Sequence, residues 1–142
     1  MATAEVEKYA TFVEETLRPQ LTQALAARDA LDADMTEYDN LLETLAGKKA
    51  ADAQNKAWKL QADLGKQCYV KVKVAPHTPV VVHVGLQVYV EMRAEEIPAF
   101  VATRKEFLLR KRERHQEKAR EIARHIQQVL EAVEALAKLQ TQ

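Results

Sequence analysis

Four histidines and one cysteine are the residues of this 142-residue chain best suited to chemistry, and their spacing argues against it. His77, His83, His115 and His125 fall in separate stretches. The last two are ten residues apart, about 15 Å on a helix, too far to share one ion. Cys68 is the only cysteine, so no intramolecular disulfide can form, which fits a reducing compartment. No histidine is placed to activate it as a nucleophile, and alternation around it puts it on the apolar face of a strand as a buried thiol. The pairs Glu14-Glu15 and Glu95-Glu96 are adjacent in sequence and diverge on a helix, so neither makes the convergent dyad of a hydrolase. With 3 glycines in all, no phosphate-cradling loop exists. The expectation is a chain with no catalytic residue, no metal and no cofactor.

The sharpest local feature is basic, from Arg110-Lys111-Arg112-Glu113-Arg114 to Arg124. It precedes Ile122, Val129 and Leu136, as the basic region of a zipper would. Interleaved Glu113, Glu117 and Glu121 and the absence of a base-contacting Asn disfavour nucleic acid as a partner. It reads first as a solvated helix face paired with an acidic helix, with an import or partner-docking patch as the alternative.

Charge supports that pairing. The formal net charge is zero, which excludes a dominant electrostatic attraction to bulk DNA or anionic membrane. Yet the first 63 residues carry 7 basic and 12 acidic side chains, and the rest carry 14 and 9. Two complementary helices of one hairpin account for this. No apolar run approaches a membrane span, and the start of the chain lacks a signal peptide's order of basic then apolar residues. A cytoplasmic and nuclear location is expected, with no membrane partner.

Three stretches must position these residues. Over 3–56, from Leu17 onward, a heptad track steps four and three: Leu17, Leu21, Ala24, Arg28, Leu31, Met35, Tyr38, Leu42, Leu45. This is the seam of a coiled coil. The rhythm slips at Val13, Leu17 and Leu21, beside Pro19, where a kink is expected. Over 57–93 the period drops to two. Trp58, Leu60, Ala62 and Leu64, then Cys68, Val70, Val72 and Val74, then Val80 to Val84, then Val88, Val90 and Met92, read as four strands. Turns at Gly65-Lys66-Gln67, Pro76-His77-Thr78-Pro79 and Gly85-Leu86-Gln87 make two successive β-hairpins. Over 94–140 a second seam runs Ile97, Val101, Arg104, Leu108, Lys111, His115, Lys118, Ile122, His125, Val129, Ala132, Leu136, Leu139, with Pro98 in the first turn.

The fold class is therefore mostly α with a small β insert: a long antiparallel coiled-coil hairpin with two β-hairpins at its bend, one domain over 1–142. Helices of this length span roughly 70–80 Å and cannot bury their stripes alone. Two isolated hairpins are marginal and expose edges. The economical answer to the edges is assembly through the stripe Val70, Val72, Val80, Val82, Val88 and Val90. At the ends of the helices, Tyr9, Phe12, Val13 and Leu17 with Val133, Leu136 and Leu139 form an apolar surface for a client or partner. The polar seam residues Arg104, Lys111, His115 and Lys118 should face Asp32, Asp34, Glu37, Asp39 and Glu43 as a weak electrostatic zip.

Helix, two hairpins, helix resembles the plan of α-class prefoldin subunits. Val81-Val82-His83-Val84-Gly85-Leu86-Gln87-Val88-Tyr89-Val90-Glu91 is similar to the family's strand–Gly–x–Gly–strand–Glu segment. Gly85 and Glu91 match, and Gln87 stands where a second glycine is usual. Lys8-Tyr9-Ala10-Thr11-Phe12-Val13, Leu17-Arg18-Pro19-Gln20-Leu21, Arg28-Asp29, Asp63-Leu64-Gly65, Tyr69-Val70, Val74-Ala75-Pro76 and Arg104-Lys105 resemble a prefoldin-like member of the family over nearly the whole chain. The resemblance implies a non-catalytic subunit of a hetero-oligomer, a hexamer of α and β prefoldin-type subunits. Its arms would hold unfolded clients for a chaperonin, or partner with the R2TP co-chaperone and RNA polymerase assembly factors. A nuclear scaffold or transcription coregulator on the same fold is the alternative, and a subunit of the standard prefoldin hexamer alone is a further one.

Overall fold

The computed structural model describes residues 2–140. In chain order they form α1 (Ala2–Phe12), a π-helical turn (Val13–Leu17), α2 (Arg18–Ala53), β1 (Trp58–Asp63), β2 (Tyr69–Val74), β3 (Val80–Gly85), β4 (Val88–Met92) and α3 (Ile97–Gln140). Two long helical stretches flanking two antiparallel hairpins are the fold class that the hydrophobic periods predict. The chain divides into two compact units, one made of residues up to Asp34 with those from Phe107 onward, the other of Met35–Glu106.

In the first unit, α1, the π turn and the start of α2 pack against the later part of α3. Val13, Leu17, Ala24, Ala119 and Ile122 form its core, with Leu21, Leu25, Ile126 and Val129 around them. The helices run antiparallel: Arg28 donates to Gln116 at 2.9 Å, and four residues further along α2 Asp32 accepts from Arg112, four residues back along α3.

The irregularity expected beside Pro19 is the π turn. Pro19 has no N–H, and its ring would press on the carbonyl four residues back. The chain widens instead, and Arg18 N–H bonds the carbonyl of Val13, five residues earlier. A wider turn brings residues four apart closer to one line. Val13 and Leu17 can then both face α3, and both are buried, at 1% and 4% exposure.

The seam expected on the first helical stretch holds from Leu17 to Leu45, every member of it buried or half-buried. The seam expected on α3 does not hold throughout. Lys111, Lys118, His125 and Ala132 are exposed, and their C-terminal neighbours Arg112, Ala119, Ile126 and Val133 turn inward. A strict seven-residue count lags a straight helix of 3.6 residues per turn, so the inward face moves on by one position. His115 and Arg104 are half-buried, as their seam positions require.

In the second unit, β1 pairs with β2 from Trp58↔Val74 to Asp63↔Tyr69, and β3 pairs with β4 from Val80↔Met92 to Gly85↔Val88, with a bulge between His83 and Gly85. Leu45, Val82, Ile97 and Val101 form the core, with Tyr38, Leu41, Leu42, Val80, Met92 and Phe100 packed on it. Trp58 lies over Gly47 so closely that a Cβ there would meet its indole nitrogen at 3.2 Å. The first helical stretch closes at Ala53, short of residue 56. Asn55 takes left-handed backbone (φ 52) and Lys56 N–H returns to the carbonyl of Ala51. Cys68 is exposed, contrary to the buried thiol expected. It closes the tight turn after Leu64, giving its N–H to Gly65 and its carbonyl to Leu64, and the alternation starts one residue later, at Tyr69.

Candidate functional site

Each sheet of the β insert stops at two strands. Among the described residues β1 pairs only with β2 and β3 only with β4, so each hairpin keeps an unpaired edge on both sides. Alternation decides which side chains remain open. Val80 and Val82 point into the core of their own unit, where Val82 is 6% exposed. Val72 is half-buried, and Val70, Val88 and Val90 are exposed. On the other face of β3–β4, Val81 and Tyr89 are exposed, and the Tyr89 ring leans on its cross-strand partner His83 with centroids 5.0 Å apart. The valine stripe therefore divides. Two members are core, one is partly covered, and three are exposed; Tyr69 and Tyr89, exposed on the opposite faces of their hairpins, were not part of the expected set.

The residues expected at the helix ends divide in the same way. Val13 and Leu17 are sealed in the core, Val133 and Leu136 are half-buried, and Tyr9, Phe12 and Leu139 are exposed. Phe12 meets the ring of His125 edge-on at 6.4 Å. Beside it Tyr9, His125, Gln128, Val129 and Ala132 line a shallow groove of about 260 Å³. This is an apolar surface with polar rims.

A polar node at the end of α2 was not foreseen. Lys48 is 1% exposed and its ammonium donates to Asp52 Oδ2 at 2.8 Å. The other oxygen of Asp52 accepts the backbone N–H of His77 at 2.9 Å. The Lys48 bond, then the His77 N–H, hold the Asp52 carboxyl below the usual carboxylate range. The node thus pins the β2–β3 turn to α2. A signal was available: Lys48 stands three residues beyond Leu45, on the same side of the helix, and four before an acid. Asp52, His77, Thr78, Lys49, Arg93 and Glu95 border a pocket of about 440 Å³ there, with charges of both signs.

The cross-helix ion pairs use neighbours of the residues expected. Arg112 pairs with Asp32 and Lys105 with Asp39, while Lys111 and Lys118 point to solvent. No group of three or more His, Cys, Asp and Glu side chains gathers among the described residues, and no described helix is long and apolar enough to cross a membrane.

Known proteins share this plan. A family model for prefoldin subunits matches residues 17–139. The chain is 24% identical over 135 residues to "Protein UXT homolog" of Dictyostelium discoideum, a match covering 95% of this chain and 83% of that one. Its fold is similar to a chain in the filamentous PFD of Methanocaldococcus jannaschii, with a TM-score of 0.65 at 22% identity, covering 83% of this chain and 95% of that one.

Proposed function

The chain belongs to the prefoldin family, and from that premise we propose that it is a non-catalytic subunit of a prefoldin or prefoldin-like, R2TP-associated co-chaperone complex. It assembles with other α- and β-type subunits through its hairpins and holds unfolded clients or partner proteins with the ends of its helices, in the cytoplasm and nucleus.

One observation carries the reading: four strands in two separate two-stranded hairpins, with unpaired edges and with Tyr69, Val70, Val88, Tyr89 and Val90 open. A two-stranded ribbon with an apolar face is marginal in water, and open edges invite pairing with another chain. Joining hairpins from several subunits into one sheet or barrel satisfies both. The assembly named in the archaeal relative and the likeness to the UXT homolog support the reading. Exposed Tyr9, Phe12 and Leu139 supply the apolar surface for clients.

Affinity purification of the tagged chain from cells, followed by identification of what co-purifies in stoichiometric amount, tests this. Prefoldin-type β subunits together with R2TP components are expected. Recovery of the chain with neither overturns the proposal.

A further inference from the structure

The outward face of β1–β2 sets cations against one another. Lys59 pairs across the ladder with Lys73, and Gln61 with Lys71, so all four side chains share one face of the ribbon. Lys71 and Lys73 lie about 7 Å apart along β2. The three lysines are exposed, and none makes a hydrogen bond or ion pair among the described residues. The one acid of these two strands, Asp63, stands at the far end of the face, where it accepts the N–H of Gly65 at 2.7 Å. Like charges directly opposite each other oppose the ladder that holds them, so the sequence keeps here a cost that nothing in the hairpin offsets. The inward face is apolar and incompletely covered: Val72 and Val74 are half-buried and Val70 is 43% exposed. Between the two faces runs the open edge of β2.

We propose that this edge of β2 takes a strand of another chain in which acids alternate with apolar residues, Asp or Glu beside Lys71 and Lys73 and Val or Ile beside Val70 and Val72. The inference rests on the assembly reading above and names the chemistry of the strand that β2 accepts. A strand added at an edge stands about 4.8 Å away and follows the pleat, so its outward side chains fall beside the lysines and its inward ones cover Val70. Opposite charges facing across a ladder stabilise it. The same lysines turn away a second β2, because two copies laid antiparallel about Lys71 or Val72 set lysine against lysine. β4 of a second copy offers one acid on its outward face, Glu91, where two are called for. A nucleic-acid backbone meets the lysines but continues no β ladder and leaves Val70 uncovered. The open edge, the paired-off charges and the apolar reverse face together select an acidic alternating strand.

Fluorescence anisotropy of labelled, strand-length peptides titrated with the full-length chain tests the proposal. One peptide alternates Glu with Val, a second alternates Lys with Val, and a third carries the Glu and Val residues in scrambled order. The wild type should bind the first at least about tenfold more tightly than the other two. Lys71→Glu with Lys73→Glu should reverse the preference between the Glu and Lys peptides. Lys71→Thr with Lys73→Thr keeps strand propensity, should abolish that preference, and carries the test if charge reversal impairs folding by circular dichroism. Equal binding of the three peptides by the wild type overturns the proposal, as does an unchanged preference in the folded variants. So does tighter binding of single-stranded RNA of equal charge, or a homo-oligomer of the wild type that the lysine variants disperse. Native mass spectrometry with β-type subunits separates this inference from the assembly reading. Equal incorporation of wild type and charge-reversed chain overturns the charge selection and leaves assembly standing. Peptide preference without any hetero-oligomer supports the strand chemistry and counts against the assembly.

Discussion

The buried ammonium of Lys48 lies 2.8 Å from a carboxylate oxygen of Asp52, one turn further along α2. The two ends of this pair are not equivalent. Removing Asp52 strands a buried charge and frees the β2–β3 turn, whereas replacing Lys48 with an apolar residue of similar volume removes the charge along with its need for a partner. Asp52→Ala should therefore lower Tm more than Lys48→Met. Thermal melts followed by circular dichroism check this. Equal losses would show that the pair does not anchor the turn.

The same carboxylate sets an acid limit. The Lys48 hydrogen bond and the His77 N–H depress the Asp52 carboxyl, and the backbone N–H of Arg93, then its guanidinium, depress that of Glu96. A group whose pKa is lower folded than unfolded stabilises the fold above its unfolded value, about 4 for a carboxylate, and loses that contribution as pH falls through its folded value. Stability attributable to Asp52 should be constant from neutral pH to about 5 and decline below about 4. Melting curves of the wild type and Asp52→Asn over this range should converge in acid. A constant gap down to pH 3 would exclude the linkage.

Much of this was legible in the amino-acid sequence, and what was not has local causes. The four-three steps from Leu17 to Leu45 mark a buried seam because the packing they describe is short-range. Counted at seven per repeat over 44 residues, α3 accumulates drift, so Lys111 and Lys118 were expected where Arg112 and Ala119 sit. Cys68 was read onto the apolar face because alternation cannot see that Gly65 starts a tight turn which Cys68 closes. Lys48 was missed because the four-three count steps from Leu45 to Lys49, and a charged residue is hidden from a hydrophobic count. The division of the valine stripe depends on which face of β3 meets Ile97 and Val101, a long-range contact that no local pattern encodes.

The Lys105–Asp39 pair should fix register more than it stabilises. Both side chains are about a third exposed or more, at 35% and 58%, so a coupling of at most about 1 kcal/mol is expected. A double-mutant cycle with Lys105→Glu and Asp39→Lys, followed by urea melts, should show the charge swap recovering part of the loss from each single change. The coupling should shrink in 1 M salt. Strict additivity would place these residues out of contact in solution.

The β3–β4 turn carries strain that one substitution relieves. Leu86 and Gln87 both adopt positive φ, at 48° and 60°, the requirement of a type I′ hairpin turn that favours glycine. Gln87→Gly should stabilise the hairpin by about 0.5–1 kcal/mol, the relief of left-handed backbone less the added freedom of the unfolded glycine. Chemical denaturation of the wild type and variant reads this, and a loss of stability would mean the Gln87 side chain makes a contact worth more than the strain.

The proposed assembly places the contacts with other prefoldin-type subunits at the open hairpin faces. Native mass spectrometry of the chain co-expressed with β-type subunits tests it most directly, comparing the wild type with Val88→Asp combined with Tyr89→Asp. These exposed side chains lie outside the core cluster of Leu45, Val82, Ile97 and Val101, so the variant should keep its helical circular dichroism. A hetero-oligomer is expected for the wild type and a folded, unassembled chain for the variant. An intact hetero-oligomer containing the variant would contradict it.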